Sequence, residues 1–343
     1  MSSKVSSVKH LRDLLPVLSR LEKPPGGFSS ALGLVLPSHF FDDDQNVSFD
    51  KATSTLQVRL PLLTKDRLLP NQSLVSLSTY LAMMDDVTTW ALPLTDPNRN
   101  RMGVSVNLHA EWGPGFAKDD GGVGRKPGDQ VNLIASVKKV GRNLGFVHAQ
   151  VRDSSSGDLI CFGKHVKYLP MGMLTDFLLS STGFPLLKLY AEHGRPQKPE
   201  SDHSDAALFS LFDSLQFEKN KDTDNSTFTT ATFAPSNIHA SLGGPIHGGC
   251  QAILMELVAT EAVQRIDKSL QLYSVSVEYI SSPSKKSADL HVDFLLPPNE
   301  WHQHQIIPVR VQLLGKEMLK SEGLLRFVRA GKMTTENVPT ARL

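Results

Sequence analysis

The residues with the clearest chemical potential lie in the segment GGPIHGGCQAILMELVATEAV. His247, Gly248 and Gly249 directly precede a stretch with helical spacing of apolar residues, and Glu256 follows the histidine by nine residues. The first N–H groups of a helix have no acceptor within the helix and carry partial positive charge. Glycine lets another group approach that backbone closely. The pattern therefore favours a site that stabilises an oxyanion, with a carboxylate nearby for acid–base or nucleophilic chemistry.

A second carboxylate occupies the equivalent position in an internal repeat. The segment LAMMDDVTTWA, which contains Asp85, aligns with AILMELVATEA, which contains Glu256, at an offset of 171 residues. Further along, VSVNL from Val104 aligns with VSVEY from Val275 at the same offset. Because two different elements keep one register, the sequence predicts a duplicated domain.

Each copy has the same order of predicted elements, with a short strand, a long apolar helix and then strands of alternating polarity. The helices are predicted at about residues 74–91 and 249–266. The predicted strands cover 55–63, 103–112, 130–140, 144–153 and 158–169, then 227–235, 272–280, 288–296, 306–314 and 322–328. One apolar helix followed by several strands predicts a sheet curled around a central buried helix.

The predicted fold class is therefore α+β, with two such units in tandem that form a pseudo-dimer. The expected divisions are an N-terminal helix and extension (1–45), a first unit (46–169), a linker (170–207), a second unit (208–331) and a C-terminal tail (332–343). Proline and charge concentrate at 193–205, which is typical of a linker.

These motifs resemble the PaaI-type group of hotdog-fold acyl-CoA thioesterases, here fused as a double hotdog. That group has a His-Gly-Gly turn with an acid nine residues after the histidine, and His247 and Glu256 match this spacing. The likeness covers most of residues 50–169 and 224–330. It implies hydrolysis of an acyl-CoA thioester to a free acid and coenzyme A, with coenzyme A as part of the substrate and no further cofactor.

Both copies depart from the family pattern. Ser76, Leu77 and Ser78 stand where the first copy would have its His-Gly-Gly turn. Ser241 stands where the family usually has an asparagine, six residues before His247. The residues needed for chemistry are therefore incomplete in each copy alone.

Members of the family that resemble this chain build each site from the turn of one subunit and the acid of the other. The resemblance then implies one complete composite site, from the Gly248 turn and Asp85. A second composite site would combine the Ser76 turn with Glu256 and would lack its oxyanion turn. We therefore expect one working site per chain.

The resemblance also suggests a role for each catalytic candidate. The Gly248 N–H would bind the carbonyl oxygen, while Asp85 would activate water or attack the thioester carbon to give a mixed anhydride. Thr89 lies one helical turn after Asp85 and is expected to orient the water or the carboxylate. His247 would hold the turn or the substrate, and Ser241 would hydrogen-bond nearby.

The expected contacts with coenzyme A involve Gly249, Lys164 and Lys167. The two lysines alternate with His165 along a strand end in GKHVKY, and all three suit the phosphates of coenzyme A, although a solvated strand face explains them almost equally well. Cys250 is a thiol next to the turn, for which packing is the commoner use. The spacing of His, Cys, Asp and Glu predicts no metal site.

Composition narrows the range of partners. Lys and Arg number 36 against 35 Asp and Glu, so the net charge of +1 provides no field that would recruit nucleic acid. No apolar run reaches the roughly 20 residues of a membrane span. Two cysteines form no disulfide framework, as in an intracellular, soluble protein. One tandem chain could also pair with a second as a homodimer.

The termini contain two possible targeting signals. Residues 6–23 are amphipathic and predict a packed N-terminal helix, with a mitochondrial transit peptide as the alternative. Ala341, Arg342 and Leu343 fit a small-basic-leucine pattern related to a peroxisomal address. The peroxisome is therefore the expected location, with the cytosol or mitochondrion as alternatives.

Two other functions use a similar scaffold. Hotdog enoyl-CoA hydratases need an Asp-x-Asn-Pro-x-His run, which is absent from this sequence. A non-catalytic acyl-CoA-binding protein would tolerate the substitutions at Ser76, Leu77, Ser78 and Ser241. The sequence favours hydrolysis over both.

Overall fold

The structure is a computed structural model of the chain. It describes residues 11–17, 27–32, 34, 40–41, 43, 45–62, 75–95, 101–114, 129–170, 172–180, 182–193, 212–218, 230–241, 245–281, 288–316 and 318–329. The predicted targeting tripeptide, residues 194–207 of the predicted linker and the ends of the predicted N-terminal helix lie outside these residues.

The described residues of the first part of the chain form three helices and six strands. The elements are α1 (11–17), α2 (Phe28–Ala31), β1 (Val47–Asp50), β2 (Thr55–Pro61), α3 (Leu77–Thr95), β3 (Val104–Trp112), β4 (Gln130–Val140), β5 (Leu144–Asp153) and β6 (Leu159–Tyr168). Two helices follow, α4 (Met173–Leu179) and α5 (Phe184–His193).

The second part repeats this order. Its elements are β7 (Gln216–Glu218), β8 (Thr230–Phe233), a 3-10 turn (Asn237–His239), α6 (Gly248–Ile266), β9 (Leu270–Tyr279), β10 (Ala288–Phe294), a second 3-10 turn (Pro298–Gln303), β11 (Ile306–Gly315) and β12 (Met318–Arg329). None of the described helices is long and apolar enough to cross a membrane.

Within the described residues the strands form one twelve-stranded antiparallel sheet. Its order is β1-β2-β4-β5-β6-β3-β9-β12-β11-β10-β8-β7, so the two halves have the same internal order and join at β3 and β9. At this seam Asn107 pairs with Glu278, which is its own equivalent at the 171-residue offset. The halves are therefore related by an approximate two-fold axis at the seam.

The core follows from the predicted periodicities. Strand β11 alternates strictly between buried and half-buried positions, so one face of the sheet covers the interior. Helix α3 is apolar on most of its circumference, and nearly all of its residues are buried. Helices α3 and α6 pack against each other beneath the sheet. The predicted α+β class, with two curled sheets around central helices, is confirmed.

The stretch expected as a linker is partly helical. Helices α4 and α5 occupy its first half, and a small apolar cluster joins them to α1 through Leu14, Val17, Leu179, Leu187 and Ala191. The linker interpretation overlooked this because short helices whose apolar contacts come from a distant segment carry little periodic signal of their own. Residues 194–207 of the predicted linker lie outside the described part.

Candidate active site

Helix α6 begins at Gly248, and His247 caps it. The Nδ1 atom of His247 accepts a hydrogen bond from the Gly249 backbone N–H at 3.0 Å. The turn before the cap is held by backbone bonds, including Ser241 N–H to Pro245 O at 2.8 Å and His247 N–H to His239 O at 2.8 Å. Ser241 thus fixes the shape of the turn through its backbone.

Asp85 of the first copy reaches this helix start from α3. Its Oδ2 atom accepts from the Gly249 N–H at 3.2 Å, and the carboxyl is buried. A Cβ atom built on Gly248 would lie 2.9 Å from this Oδ2 and 3.1 Å from the hydroxyl of Tyr279. Tyr279 in turn donates to the carbonyl oxygen of Gly248 at 2.9 Å. The structure therefore brings Asp85 and the glycine turn together, and the site needs glycine at position 248.

The second copy makes the equivalent contact with the first copy. The Glu256 carboxylate of α6 accepts from the Ser78 N–H at the start of α3, at 2.8 Å. Ser76 caps α3 by accepting from the Thr79 N–H at 3.2 Å. Each copy thus places its acid at the positive end of the other copy's central helix, where a carboxylate is stabilised.

The other oxygen of Asp85 faces strands β3 and β6. Its Oδ1 atom lies 3.0 Å from Ser105 Oγ, 3.5 Å from His165 Nε2 and 3.7 Å from Lys167 Nζ. Burial would raise the pKa of Asp85, but the ammonium of Lys167, with the imidazoles of His247 and His165 and the Ser105 hydroxyl, holds it below its usual range. Burial, with Lys167, lowers the pKa of His165 to about 3, so Lys167 supplies the cation on this side. Asp85 is therefore an ionised carboxylate in a buried site.

The ionised state of Asp85 fixes the direction of a short hydrogen-bond chain. A carboxylate only accepts, so Ser105 donates its hydroxyl proton to Asp85. The Ser105 oxygen then accepts from His165 Nε2, 3.0 Å away. On its other side, His165 Nδ1 lies 2.6 Å from Thr88 Oγ1. Ser105 and His165 thus orient the acid. Ser105 was not predicted from the sequence, and His165 was considered only as a phosphate contact.

Lys167 and Thr89 form a pair beside Asp85. Lys167 donates to Thr89 Oγ1 at 2.6 Å, and the Thr89 hydroxyl donates to the Asp85 backbone oxygen. Thr89 therefore holds the lysine that faces the carboxylate, and its hydroxyl is engaged by its own helix.

The two lysines predicted to contact the phosphates of coenzyme A lie on opposite faces of the sheet. Lys167 is buried inside the sheet beside Asp85, whereas Lys164 is exposed and faces the outside of the sheet. Since side chains alternate along β6, positions three residues apart point to opposite faces. Gly249, also predicted to contact coenzyme A, uses its N–H for His247 and Asp85.

The second composite site has different surroundings. Glu256 lies among the hydroxyls of Ser76 and Ser78, and burial raises its pKa against the opposing effect of these hydrogen bonds. Leu77, a buried side chain, occupies the place that Gly248 has in the first site. The second site therefore has a side chain at the position where the first site has none.

Other reactive groups do not contribute. Burial raises the pKa of the Cys250 thiol, which makes it an apolar packing group and a poor nucleophile. Among the described residues, no group of three or more His, Cys, Asp or Glu side chains is placed to hold a metal ion.

Comparisons with known proteins show the fold. No protein-family model matches the chain, and no curated protein matches it in sequence. Solved structures do match. A protein from Lactobacillus plantarum, provisionally named an oleoyl thioesterase, is 11% identical with a TM-score of 0.52, over 81% of this chain and 97% of that chain.

Two further solved structures have similar scores. A hotdog-fold protein of unknown function from Alicyclobacillus acidocaldarius is 10% identical, with a TM-score of 0.51, over 85% of this chain and 97% of that chain. A protein from Novosphingobium aromaticivorans, provisionally named a thioesterase, is 11% identical, with a TM-score of 0.50, over 83% of this chain and 98% of that chain. The chain therefore has a double hotdog fold, as the sequence resemblance implied.

Proposed function

We propose that the chain is a thioester hydrolase that cleaves acyl-CoA to a carboxylic acid and coenzyme A at one composite site. The observation that carries this proposal is the position of Asp85. Its ionised carboxylate lies beside Gly248 at the start of α6, although the two residues come from different copies. Two of the similar structures are provisionally named thioesterases, which supports the same reaction class.

In this proposal the Gly248 N–H is the oxyanion donor. As the first residue of α6 it has no acceptor within the helix, and the helix dipole adds positive charge at this end. The thioester carbonyl oxygen becomes negative as the carbon is attacked, so a fixed N–H favours the transition state over the substrate. One such donor typically contributes about 2.7 to 4 kcal/mol to the barrier.

Asp85 would begin the reaction in one of two ways. As a general base it takes a proton from water, and the water oxygen attacks the carbonyl carbon. As a nucleophile it attacks that carbon itself and forms a mixed anhydride, which water then hydrolyses. In both cases the carbon–sulfur bond breaks, and coenzyme A leaves as the thiolate, which then takes up a proton. Hydrolysis in ¹⁸O-water for a single turnover separates them, because only the anhydride route can place ¹⁸O in Asp85.

Four side chains prepare Asp85 for this role. Lys167 keeps the carboxylate ionised, and Ser105 with His165 directs its Oδ1 atom. Thr89 anchors Lys167 from the same helix as Asp85. These contacts are made before substrate binds, so the acid is preorganised and little rearrangement is needed in the transition state.

Thiol release from a panel of acyl-CoAs, straight-chain and aromatic, tests the proposal. We expect the wild type to release free coenzyme A and Asp85→Asn to lose at least about a hundredfold in kcat. Hydration of a trans-2-enoyl-CoA without thiol release would instead identify a hydratase. Acyl-CoA binding with no turnover of any substrate would identify a non-catalytic binder, and either result would overturn the proposal.

A further inference from the structure

His247 lies between two acids of the first copy. Its Nε2 atom is 3.3 Å from Asp86 Oδ1, and its Nδ1 atom is 3.6 Å from Asp85 Oδ2. Asp86 is buried, and its Oδ1 also accepts from the Ser29 hydroxyl at 3.1 Å. The Phe28 ring covers the imidazole, with ring centroids 5.3 Å apart. The N-terminal helix α2 thus closes this side of the site.

The hydrogen bonds determine which nitrogen of His247 carries the proton. The Gly249 backbone N–H can only donate, and it points at Nδ1, so Nδ1 must hold a lone pair. The single proton of the neutral ring is then on Nε2, which faces Asp86. We infer that Asp86 is a positioning residue, which accepts the Nε2 proton so that Nδ1 caps Gly249 and aims the start of α6 at Asp85. For its kinetic consequences this inference rests on the proposed hydrolysis.

The second composite site lacks this pair. Leu257 and Ser76 occupy the positions equivalent to Asp86 and His247. The absence of an Asp–His pair agrees with a single working site. The cap of α3 is the Ser76 hydroxyl, which has no tautomers and therefore needs no acid to fix the position of its proton.

Protonation of His247 would change the site. A proton on Nδ1 removes the acceptor for Gly249 and places a new N–H against Asp85 Oδ2, pairing the carboxylate needed for hydrolysis. Burial lowers the pKa of His247, but the nearby carboxylates of Asp86 and Asp85 on α3 raise it above its usual value. The charge of Lys167 on β6 opposes this increase. His165 on the same strand also faces the ring. Hydrolysis should therefore fall as the pH drops through the pKa of His247.

The test combines NMR of ¹⁵N-histidine-labelled full-length protein with pH–rate profiles. His247→Gln identifies the His247 signals by their loss. In the wild type we expect the neutral ring of His247 to be protonated on Nε2. Asp86→Asn should lower the pKa of His247 and move the acid limb of the kcat/KM profile to lower pH by the same amount. Asp86→Leu, which copies Leu257, should lower kcat at least about tenfold with KM little changed. Glu261→Gln removes a charge from the exposed face of α6 and should change neither reading.

Two results would overturn the inference. One is a neutral His247 protonated on Nδ1 in the wild type, a measurement that needs no variant of Asp86 to fold. The other is an unchanged pKa of His247 and an unchanged acid limb in the Asp86→Asn variant. Absence of thiol release from every acyl-CoA would refute the proposed function alone, since the NMR result would still decide the pairing of Asp86 with His247.

Discussion

Glu256 accepts a hydrogen bond from the Ser78 N–H at 2.8 Å, in the position where Asp85 accepts from Gly249 in the other half. The backbone exchange is the same in both sites, but the charges around the two acids differ. Asp85 faces Lys167, whereas Glu256 faces serine hydroxyls. The pKa is lowered in the first case and raised in the second. One geometry therefore supports a reactive carboxylate in one half and a helix cap in the other.

Glu256→Gln is expected to increase the free energy of unfolding relative to the wild type, and this difference should grow as the pH rises. In the unfolded chain Glu256 loses its proton near pH 4.3. In the folded protein Glu256 keeps this proton to a higher pH, because burial raises its pKa. Between these two pKa values the wild type loses up to about 1.4 kcal/mol of stability per pH unit relative to the variant. Urea unfolding of both proteins at several pH values measures this. A difference that is constant from pH 4 to pH 8 would contradict the raised pKa.

Gly248→Ala should inactivate the protein without unfolding it. The added methyl group would lie 2.9 Å from Asp85 Oδ2, in the space proposed for the substrate carbonyl, while alanine is a good helix former. We expect kcat to fall about a hundredfold or more, with Tm nearly unchanged. The matched variant is Gly249→Ala, whose methyl group would meet the Ala82 Cβ at 2.5 Å, so this variant should lose stability. Equal Tm losses in the two variants would refute the distinction.

Lys167→Met should move the acid limb of the pH–rate profile upward. The titration of His247 sets the acid limb, and the ammonium of Lys167 lowers the pKa of His247, so its loss moves that titration to higher pH. The same ammonium holds the pKa of Asp85 down against burial, so in the variant this carboxylate also takes up its proton at a higher pH. We expect the acid limb of the variant to lie at a higher pH than that of the wild type. Lys164→Met, on the outer face, should leave the profile in place, and the same shift in both variants would exclude a local effect.

Leu77→Gly should not create a second active site. The change restores the glycine of the turn, but the Glu256 site still has serine at the position of His247. Removal of a buried leucine side chain should cost about 2 to 5 kcal/mol of stability. Thiol release per chain and the unfolding midpoint check both parts. A doubled kcat per chain would show that Leu77 alone keeps the second site inactive.

The sequence predicted those parts of the fold that depend on local pattern. Strands 130–140 and 144–153 were predicted at their observed bounds because alternation at one buried face is strong in both. The 171-residue offset made Asp85 the equivalent of Glu256, since a repeat fixes equivalent positions without any knowledge of contacts. The pairing of Asp85 with the turn of the other copy came from the family resemblance, which implies sites shared between two units. The short strand β1 was missed because four residues carry too little alternation.

The surroundings of Asp85 depend on long-range register, which the sequence does not reveal. Ser105 faces inward opposite Lys167 because β3 has an irregularity between Ser105 and Asn107. Ser29 reaches Asp86 from outside the repeat, across 57 residues of chain. The clue that was available was parity along β6. His165 and Lys167 share a face, and two inward-pointing basic groups in an apolar strand indicate a buried acid nearby.

The most direct test of the single composite site is a comparison of Asp85→Asn with Glu256→Gln. Both variants replace a buried acid by its amide at the start of the partner copy's helix, so the two substitutions are matched in chemistry and in position. With a hydrolysed acyl-CoA at pH 8, we expect Asp85→Asn to lose at least about a hundredfold in kcat and Glu256→Gln to stay within about threefold of the wild type. Equal losses in the two variants would contradict the account.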